Sequence, residues 1–385
     1  MTKPRFVCLT NIPTPYRLHL FRVFSEELRR RDWDFEVWFM AESERGRLWR
    51  FQEEEFCFKF RTFPGWHFRT FHFNPSIIRS AVRRSPGVFL VAGGWANPTN
   101  LLLGPHFRRV PSLFWCESHA QSARIPSGWV HAVRRAAFRA YAGYAVPGEQ
   151  SRQWVQRIAP GKPVFKLPNT VNESLFSEQV AQARSQRSSL RRQMNLADEQ
   201  RVLIMPARLI PVKGIEPFLE AFDSWKCSEK RSVTILVAGD GELRTQLEDW
   251  GRKHASSDLR LLGHVDQARM VQLYALSDAF ALASFRDANP LTVIEALWAG
   301  LPLIVSERIG NLQEVLRSGE NGWAFAPGSQ PSVHAALAKW ITSLEGNYEE
   351  IGLTSARIAH QFFHTRKAVG HFLDSVFGYS GFKLS

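Results

Sequence analysis

The segment Arg201-Val202-Leu203-Ile204-Met205-Pro206-Ala207-Arg208-Leu209-Ile210-Pro211-Val212-Lys213-Gly214 changes character halfway along. Arg201 to Met205 is a short apolar run of the kind that forms a strand buried on both faces. A stretch broken by two prolines, two cations and a glycine follows, and then Ile215 to Trp225 places apolar residues at helical spacing. Strand, short loop and helix make half of a βαβ unit, the building block of a parallel sheet.

The same alternation runs outward in both directions. Downstream lie strand Val233 to Ala238, helix Glu242 to His254, strand Leu259 to Leu262 and helix Gln267 to Leu276. Strand Ala279 to Ala283, helix Pro290 to Ala299 and strand Pro302 to Ser306 continue the series, and after Ala324 to Ala326 come helices at Ser332 to Leu344, Tyr348 to Phe363 and Thr365 to Phe377. Upstream, strands are expected at Phe6 to Thr10, Phe35 to Met40, Val88 to Ala92, Ser112 to Cys116, Tyr144 to Val146 and Val164 to Leu167, with helices such as Tyr16 to Arg30 and His131 to Tyr141 between them. The stretch Gln179 to Gln193, polar and rich in Arg, Ser and Gln, breaks the pattern and reads as a partly helical link between domains. The expectation is an α/β chain of two Rossmann-like, doubly wound domains facing across a cleft. One spans 1–178 and one 196–362, joined by a linker at 179–195, with a C-terminal helix in 363–385 that packs back on the first domain. Ligands of such sheets bind beyond the carboxyl ends of the strands.

The composition agrees with two globular domains: 385 residues, 44% hydrophobic and 22% charged, which excludes a disordered, collagenous or coiled-coil chain. No stretch approaches the length of a membrane span, and the start lacks the apolar core of a signal peptide. The cysteines Cys8, Cys57, Cys116 and Cys227 stand far apart without ligand spacing, so neither a disulfide framework nor a zinc site is expected and a reducing cytosol is the expected home. Residues 1–175 hold 26 Lys plus Arg against 13 Asp plus Glu, whereas 176–385 hold 23 of each. The whole excess of +13 therefore sits in the first half, which suits an anionic partner, either nucleic acid or a membrane face, or else a solvated basic surface.

Arg208 and Lys213 fall at the carboxyl edge of a strand, beside a helix start and next to Gly214, an arrangement suited to a diphosphate. An Arg and a Lys at this separation are, taken alone, more often ordinary surface charges. In Asp287-Ala288-Asn289-Pro290-Leu291-Thr292-Val293-Ile294-Glu295, Pro290 fits a first helical position, so the N–H groups of Leu291 and Thr292 are expected to face an anion. Glu295, one turn deeper, suits two vicinal ribose hydroxyls as a two-oxygen acceptor, and Asp287 lies where a sugar can be reached. A capping-region acid and a paired helix-face acid remain the plain alternatives for these two residues.

The Arg208 to Gly214 run, the turn Ala238-Gly239-Asp240-Gly241, the segment Leu262-Gly263-His264-Val265 and the carboxylates Asp287 and Glu295, eight apart and followed by Ala299-Gly300, occur in that order. Together they resemble the donor-binding domain of retaining, nucleotide-sugar-dependent glycosyltransferases of the GT-B fold, such as the bacterial mannosyl- and glucosyltransferases of polysaccharide assembly. The resemblance covers residues 200–330 well and the remainder in outline. It implies that Arg208 and Lys213 bind the donor diphosphate and that Glu295 holds the ribose. Gly239, Asp240, Gly241, His264 and Val265 then lie along the nucleotide and base, and Asp287, Asn289, Pro290, Leu291 and Thr292 belong to the donor site. Asp287 stands where the family usually has Glu.

The first half departs further from the family. In place of a Gly-Gly loop after the first strand it has Asn11-Ile12-Pro13-Thr14-Pro15-Tyr16-Arg17, where Asn11, Thr14 and Arg17 are candidate polar contacts on the acceptor side. Gly93 and Gly94 follow a later strand and offer a close backbone approach or a tight turn. By the resemblance, Glu117 and His119 are candidates beside the transferring sugar or acceptor hydroxyl, with Arg208 and Lys213 the catalytic cations; a structural role fits Glu117 and His119 equally. Asp32-Trp33-Asp34 matches a metal-binding pattern of another transferase fold but falls in a helix-to-strand turn, so no metal and no further cofactor is expected.

The resemblance implies a metal-independent, hexosyltransferase-like enzyme that moves a sugar from a nucleoside-diphosphate sugar to a lipid-linked or saccharide acceptor. A nucleotide-sugar epimerase of the same fold and a non-catalytic scaffold are the rivals. Clusters Arg29-Arg30-Arg31, Arg83-Arg84, Arg108-Arg109 and Arg134-Arg135, with Trp33, Trp38, Trp49, Phe68, Phe71, Phe73 and the stretch Trp129 to Tyr141, predict peripheral docking on the anionic inner face of the cytoplasmic membrane. No nucleic-acid-binding module is recognisable.

Overall fold

The computed structural model describes residues 3–44, 55–68, 71–84, 86–107, 110–120, 122, 128–229, 232–254 and 258–382. The chain forms two compact units, Met1–Val171 with Thr365–Ser385, and Asn172–His364.

In the first unit, strands β1 (Arg5–Thr10), β2 (Asp34–Phe39), β3 (Lys59–Thr62), β4 (Trp66–Phe68), β5 (Phe71–Phe73), β6 (Val88–Ala92), β7 (Ser112–Trp115), β8 (Gly143–Val146) and β9 (Val164–Lys166) follow one another. Seven of them form a parallel sheet in the order β3-β2-β1-β6-β7-β8-β9, while β4 and β5 pair as a separate antiparallel hairpin. Along β1, Phe6 and Cys8 pack into one core with Phe24 and Phe372, and Val7 and Leu9 into another with Trp38 and Phe138. Burial on both faces is why this strand reads as an unbroken apolar run. β3 and the hairpin escaped the sequence reading because β3 is a largely exposed edge strand and each hairpin strand has only three residues.

The second unit holds β10 (Arg201–Pro206), β11 (Val233–Ala238), β12 (Leu259–Gly263), β13 (Ala279–Leu282), β14 (Leu303–Ser306) and β15 (Gly322–Phe325), parallel in the order β12-β11-β10-β13-β14-β15. In each sheet the order reverses beside the unit's first strand, between β1 and β6 and between β10 and β13. These are the switch points where the loops diverge and leave room for a ligand.

The division between units does not use residues 179–195 as a link. Val180–Arg184 and Arg187–Gln193 are helices of the second unit that pack on the helix Gln267–Leu276. Arg187 bonds Asp278 at 2.8 Å, and Arg191, buried, lies 3.5 Å from the same carboxylate. The helical part of that expectation holds, but the stretch is no link: its arginines are held at a buried acid that also accepts from the Val202 amide. The helix Thr365–Phe377 belongs to the first unit: Phe372 meets Phe24 edge-on and Phe377 stacks on Trp33 at 4.8 Å.

Candidate functional site

The loop that leaves β10 is shaped by backbone contacts with its neighbours. Gly214 adopts φ 63°, and a Cβ there would lie 2.3 Å from the Ala283 carbonyl oxygen, so only glycine lets the loops after β10 and β13 close on each other. The Phe285 amide donates to the Val212 carbonyl at 2.9 Å across the same contact. On the other side, a Cβ on Gly239 would lie 1.9 Å from the Ala207 carbonyl oxygen, and the Leu209 amide donates to the Asp240 carbonyl at 3.0 Å. The Gly239 amide donates to the Gly263 carbonyl at 2.8 Å, bringing the end of β12, with exposed His264 and half-buried Val265, into the same row. All four elements singled out in the sequence thus meet along the carboxyl edge of the second sheet.

Within that row Arg208 is exposed and makes no ion pair among the described residues. Lys213 does not stand as a second free cation: its ammonium bonds the Asp287 carboxylate, joining the two loops across the switch point. The turn Gly239 to Gly241 is fixed by the Asp240 carboxylate, which accepts from the Gly241 amide at 2.8 Å. Pro290 is the N-cap of the helix Leu291–Trp298 rather than its first residue, with extended backbone (φ −67°, ψ 120°). The helix has no side-chain cap, so the N–H groups of its first turn, those of Leu291 and Thr292 among them, lack helical partners. Asn289 Nδ2 beside it is buried without a hydrogen-bond partner among the described residues.

Glu295 lies one turn further in and accepts from the Tyr274 hydroxyl at 2.8 Å. Burial pushes its carboxyl up to about 7, against the lowering effect of the tyrosine bond, and burial together with this carboxylate raises Tyr274. Tyr274, which fixes one Glu295 oxygen, was missed in the sequence. It stands 21 residues from its partner on another helix, and no local pattern marks it.

The first unit has a cavity of about 560 Å³ at the carboxyl end of β7, lined by Arg17, Gly93, Gly94, Trp115, Glu117 and Arg134 among others. Arg17 Nη1 donates to Thr10 Oγ1 at 2.6 Å, and the guanidinium lies 5.0 Å from the Trp115 ring and 3.8 Å from Glu117. Glu117 also accepts from Asn169 Nδ2 at 2.8 Å. Asn11 backs this wall, its Oδ1 lying 2.6 Å from where a Cβ on Gly93 would be, and its Nδ2 donates to Glu44 at 3.3 Å. Thr14 is the N-cap residue of the helix Pro15–Arg30, and its hydroxyl is buried without making a cap bond. His119 is buried outside the lining, and its amide donates to Ser122 Oγ at 2.9 Å.

Several residues expected on a docking face lie elsewhere. Trp38 is in the core, Trp33 stacks on Phe377, and Arg134 is buried over the Trp154 ring at 5.4 Å. Arg31 is bound to Glu27 and Asp374. Trp49, Arg108, Arg109 and the side chain of Arg84 lie outside the described residues. Asp32 pairs with Lys3 at 2.5 Å, and no cluster that could hold a metal occurs among the described residues. Among them, too, no helix is long and apolar enough to cross a membrane.

Residues 186–351 match the family of glycosyl transferases group 1. Over 216 residues the chain is 23% identical to N-acetyl-alpha-D-glucosaminyl L-malate synthase of Bacillus anthracis, a match covering 56% of this chain and 54% of that protein. It is 30% identical over 196 residues to alpha-monoglucosyldiacylglycerol synthase of Acholeplasma laidlawii, covering 50% of this chain and 44% of that one. The chain thus spans about half the length of these curated relatives. The crystal structure of HepE from Anabaena in complex with UDP is similar with a TM-score of 0.75 at 15% identity, over 98% of this chain and 100% of that one. Sheet order and likeness of fold agree that the chain has two Rossmann-like domains of the GT-B fold, with the match to glycosyl transferases group 1 falling on residues 186–351 of the second unit.

Proposed function

We propose that the chain transfers a glycosyl unit from a nucleoside-diphosphate sugar to an acceptor hydroxyl, with retention, in the assembly of a glycolipid or cell-surface polysaccharide. The observation that carries this reading is the meeting of four separate loops at the switch point of the second sheet, with a cation, an uncapped helix start and a half-buried carboxylate in one row. A diphosphate suits Arg208 and the amides of Leu291 and Thr292. It also competes with Asp287 for Lys213, and Asp287, once displaced, turns to the hydroxyls of the sugar. Tyr274 holds one oxygen of Glu295 and leaves the other for the ribose. That a homologue is named a diacylglycerol glycoside synthase and a fold relative was solved with UDP supports the choice of donor and acceptor class.

In the reaction the bond from the anomeric carbon to the diphosphate breaks and a bond to the acceptor oxygen forms. The acceptor's proton passes to the departing phosphate oxygen, so no protein nucleophile is required. Negative charge grows on the diphosphate as the sugar becomes oxocarbenium-like, and fixed cations and helix amides stabilise that charge more in the transition state than in the ground state. With the cations supplied by side chains, the step proceeds without a divalent metal. The test is a panel of nucleotide sugars read by thermal shift and product formation, with and without EDTA. Transfer or donor hydrolysis unaffected by EDTA is the expected result. Interconversion of donors would replace the reading with an epimerase, and absence of any binding would sink it.

The first unit is the side proposed to meet anionic membrane. Trp129 is 77%, Trp66 71% and Phe68 70% exposed, and Val82, Leu102 and Val133 are exposed as well. They stand on adjoining elements: the helix Pro98–Phe107 packs on β5 and on the helices Pro75–Arg84 and Trp129–Ala140. Exposed Arg79, Arg83, Arg135 and Arg139 lie on two of these helices. Apolar groups that insert at a headgroup boundary beside cations fit a peripheral mode of binding to anionic lipid at a cytoplasmic face.

A further inference from the structure

The ion pair of Lys213 with Asp287 lies in the row proposed for the donor, and both side chains are largely withdrawn from water, at 17% and 16% exposure. Backbone holds the two residues beside each other. Gly214, next to Lys213, closes on the Ala283 carbonyl, and the Phe285 amide donates to the Val212 carbonyl at 2.9 Å. The loop of Asp287 is fixed from its other side as well. The Gly310 amide donates to the Asp287 carbonyl at 2.9 Å, the backbone of Asp287 bridges to Ile309, and Nδ2 of buried Asn311 reaches the Pro290 carbonyl at 3.4 Å. An anion drawn to Lys213 therefore always meets this carboxylate.

The consequence differs for two ligands that share a diphosphate. If Lys213 turns to the anion, its bond to Asp287 is given up; if it serves both, two anionic groups share one ammonium. Either way the carboxylate opposes a bare diphosphate. A diphosphate that still carries its sugar brings hydroxyl donors, and an ionised carboxylate is an acceptor only, so bonds from the sugar to Asp287 are charge-assisted and offset that opposition. Arg208 and the amides of Leu291 and Thr292 serve the diphosphate in both cases, and whatever else touches Asp287 is common to both, so neither enters the difference. We propose that Asp287 makes the donor site select a nucleotide sugar over its spent nucleoside diphosphate, by accepting from the sugar in the one and reclaiming Lys213 in the other, so that the diphosphate is expelled once its sugar has gone. In the identity of the ligands this rests on the transferase reading; the antagonism between Asp287 and a bare diphosphate does not.

Calorimetric titration of the full chain with inorganic pyrophosphate, which has neither sugar nor base, reads the antagonism alone. Wild type, Asp287→Asn, Asp287→Ser, Lys213→Ala and Lys213→Ala/Asp287→Asn are compared at one ionic strength. Asp287→Asn and Asp287→Ser should bind pyrophosphate about tenfold more tightly than wild type, and the gain should shrink when Lys213 is replaced. No binding by any variant, no gain in the neutral variants, or an equal gain with and without Lys213 would overturn the proposal. A second arm needs no variant to fold. The nucleotide sugar of the panel with the largest thermal response is titrated into wild type beside its own nucleoside diphosphate, and should bind about tenfold more tightly. In Asp287→Asn that difference should disappear, through a tighter diphosphate and a weaker nucleotide sugar. A wild type that holds the diphosphate as tightly as the nucleotide sugar would equally overturn the proposal. No response to any nucleotide sugar, with pyrophosphate behaving as expected, would sink the transferase reading and leave the antagonism at Asp287 standing.

Discussion

The two units use the same parallel-sheet plan and build their candidate sites in opposite ways. In the second, the site is made of loops that touch through backbone, with an exposed Arg208 and an uncapped helix start, and its residues come in short runs at 208–214 and 287–295. In the first, it is made of side chains from scattered segments, buried Arg17, Arg134 and Asn169 and half-buried Glu117, around an aromatic cavity. A site written in backbone turns fixes residue types at close spacing and can be read locally. A site assembled from distant side chains leaves no spacing to read.

The comparison is tested most strongly by removing charge from the second unit. Arg208→Ala and Lys213→Ala should each lower kcat/KM roughly 10- to 150-fold, the equivalent of about 1.5 to 3 kcal/mol for a hydrogen bond to a charged group. Near-normal turnover in both would remove the phosphate site from the loop after β10. Backbone dependence is checked next by urea unfolding. Gly239→Ala forces a Cβ against the Ala207 carbonyl oxygen and should cost about 1 to 3 kcal/mol, whereas Gly94→Ala, with open space at its Cβ, should be silent. Equal midpoints for the two variants would show that the loops of the second unit are not held by that contact.

A smaller effect is expected at the surface of the first unit. Sedimentation with anionic and neutral vesicles should show binding to the anionic ones, weakened by salt and by Arg135→Glu with Arg139→Glu, at about 1 kcal/mol per basic residue. The field fades over about 8 Å at physiological ionic strength, hence the salt sensitivity. Equal partitioning to both lipids would reduce the basic half to a solvated face.

The sharpest test is the pH dependence of Glu295. Its carboxyl titrates at about 7 in the fold against an ordinary 4.5, so the native state holds the proton longer than the unfolded chain. Glu295 therefore costs stability progressively as pH rises from about 4.5 to 7, and Glu295→Gln should gain on wild type over that window and then keep a constant lead above it. Donor KM should fall in wild type as the carboxylate forms through pH 7 and stay flat in Glu295→Gln. A flat wild-type profile would take Glu295 off the ribose.

Reading the first half for surface charge succeeded only where arginines stand on the outer faces of helices. Arg135 and Arg139 are exposed, but Arg134 between them turns inward, because on a helix one position in three or four faces the core whatever its chemistry. The same misreading made a linker of 179–195, where Arg187 and Arg191 reach in to Asp278.

By itself the sequence determined the alternation of strands and helices, the parallel sheets and the place of the loops at 208–214 and 287–295. These follow from hydrophobic period, from prolines and glycines at turns and from fixed offsets along the chain, all of them local quantities. Only the tertiary structure decided that Lys213 answers Asp287, that Tyr274 holds Glu295, and that Arg17 and Arg134 line one cavity. Each of these is a meeting of side chains remote in sequence, and their charge states follow from burial and partners that exist only once the chain is folded.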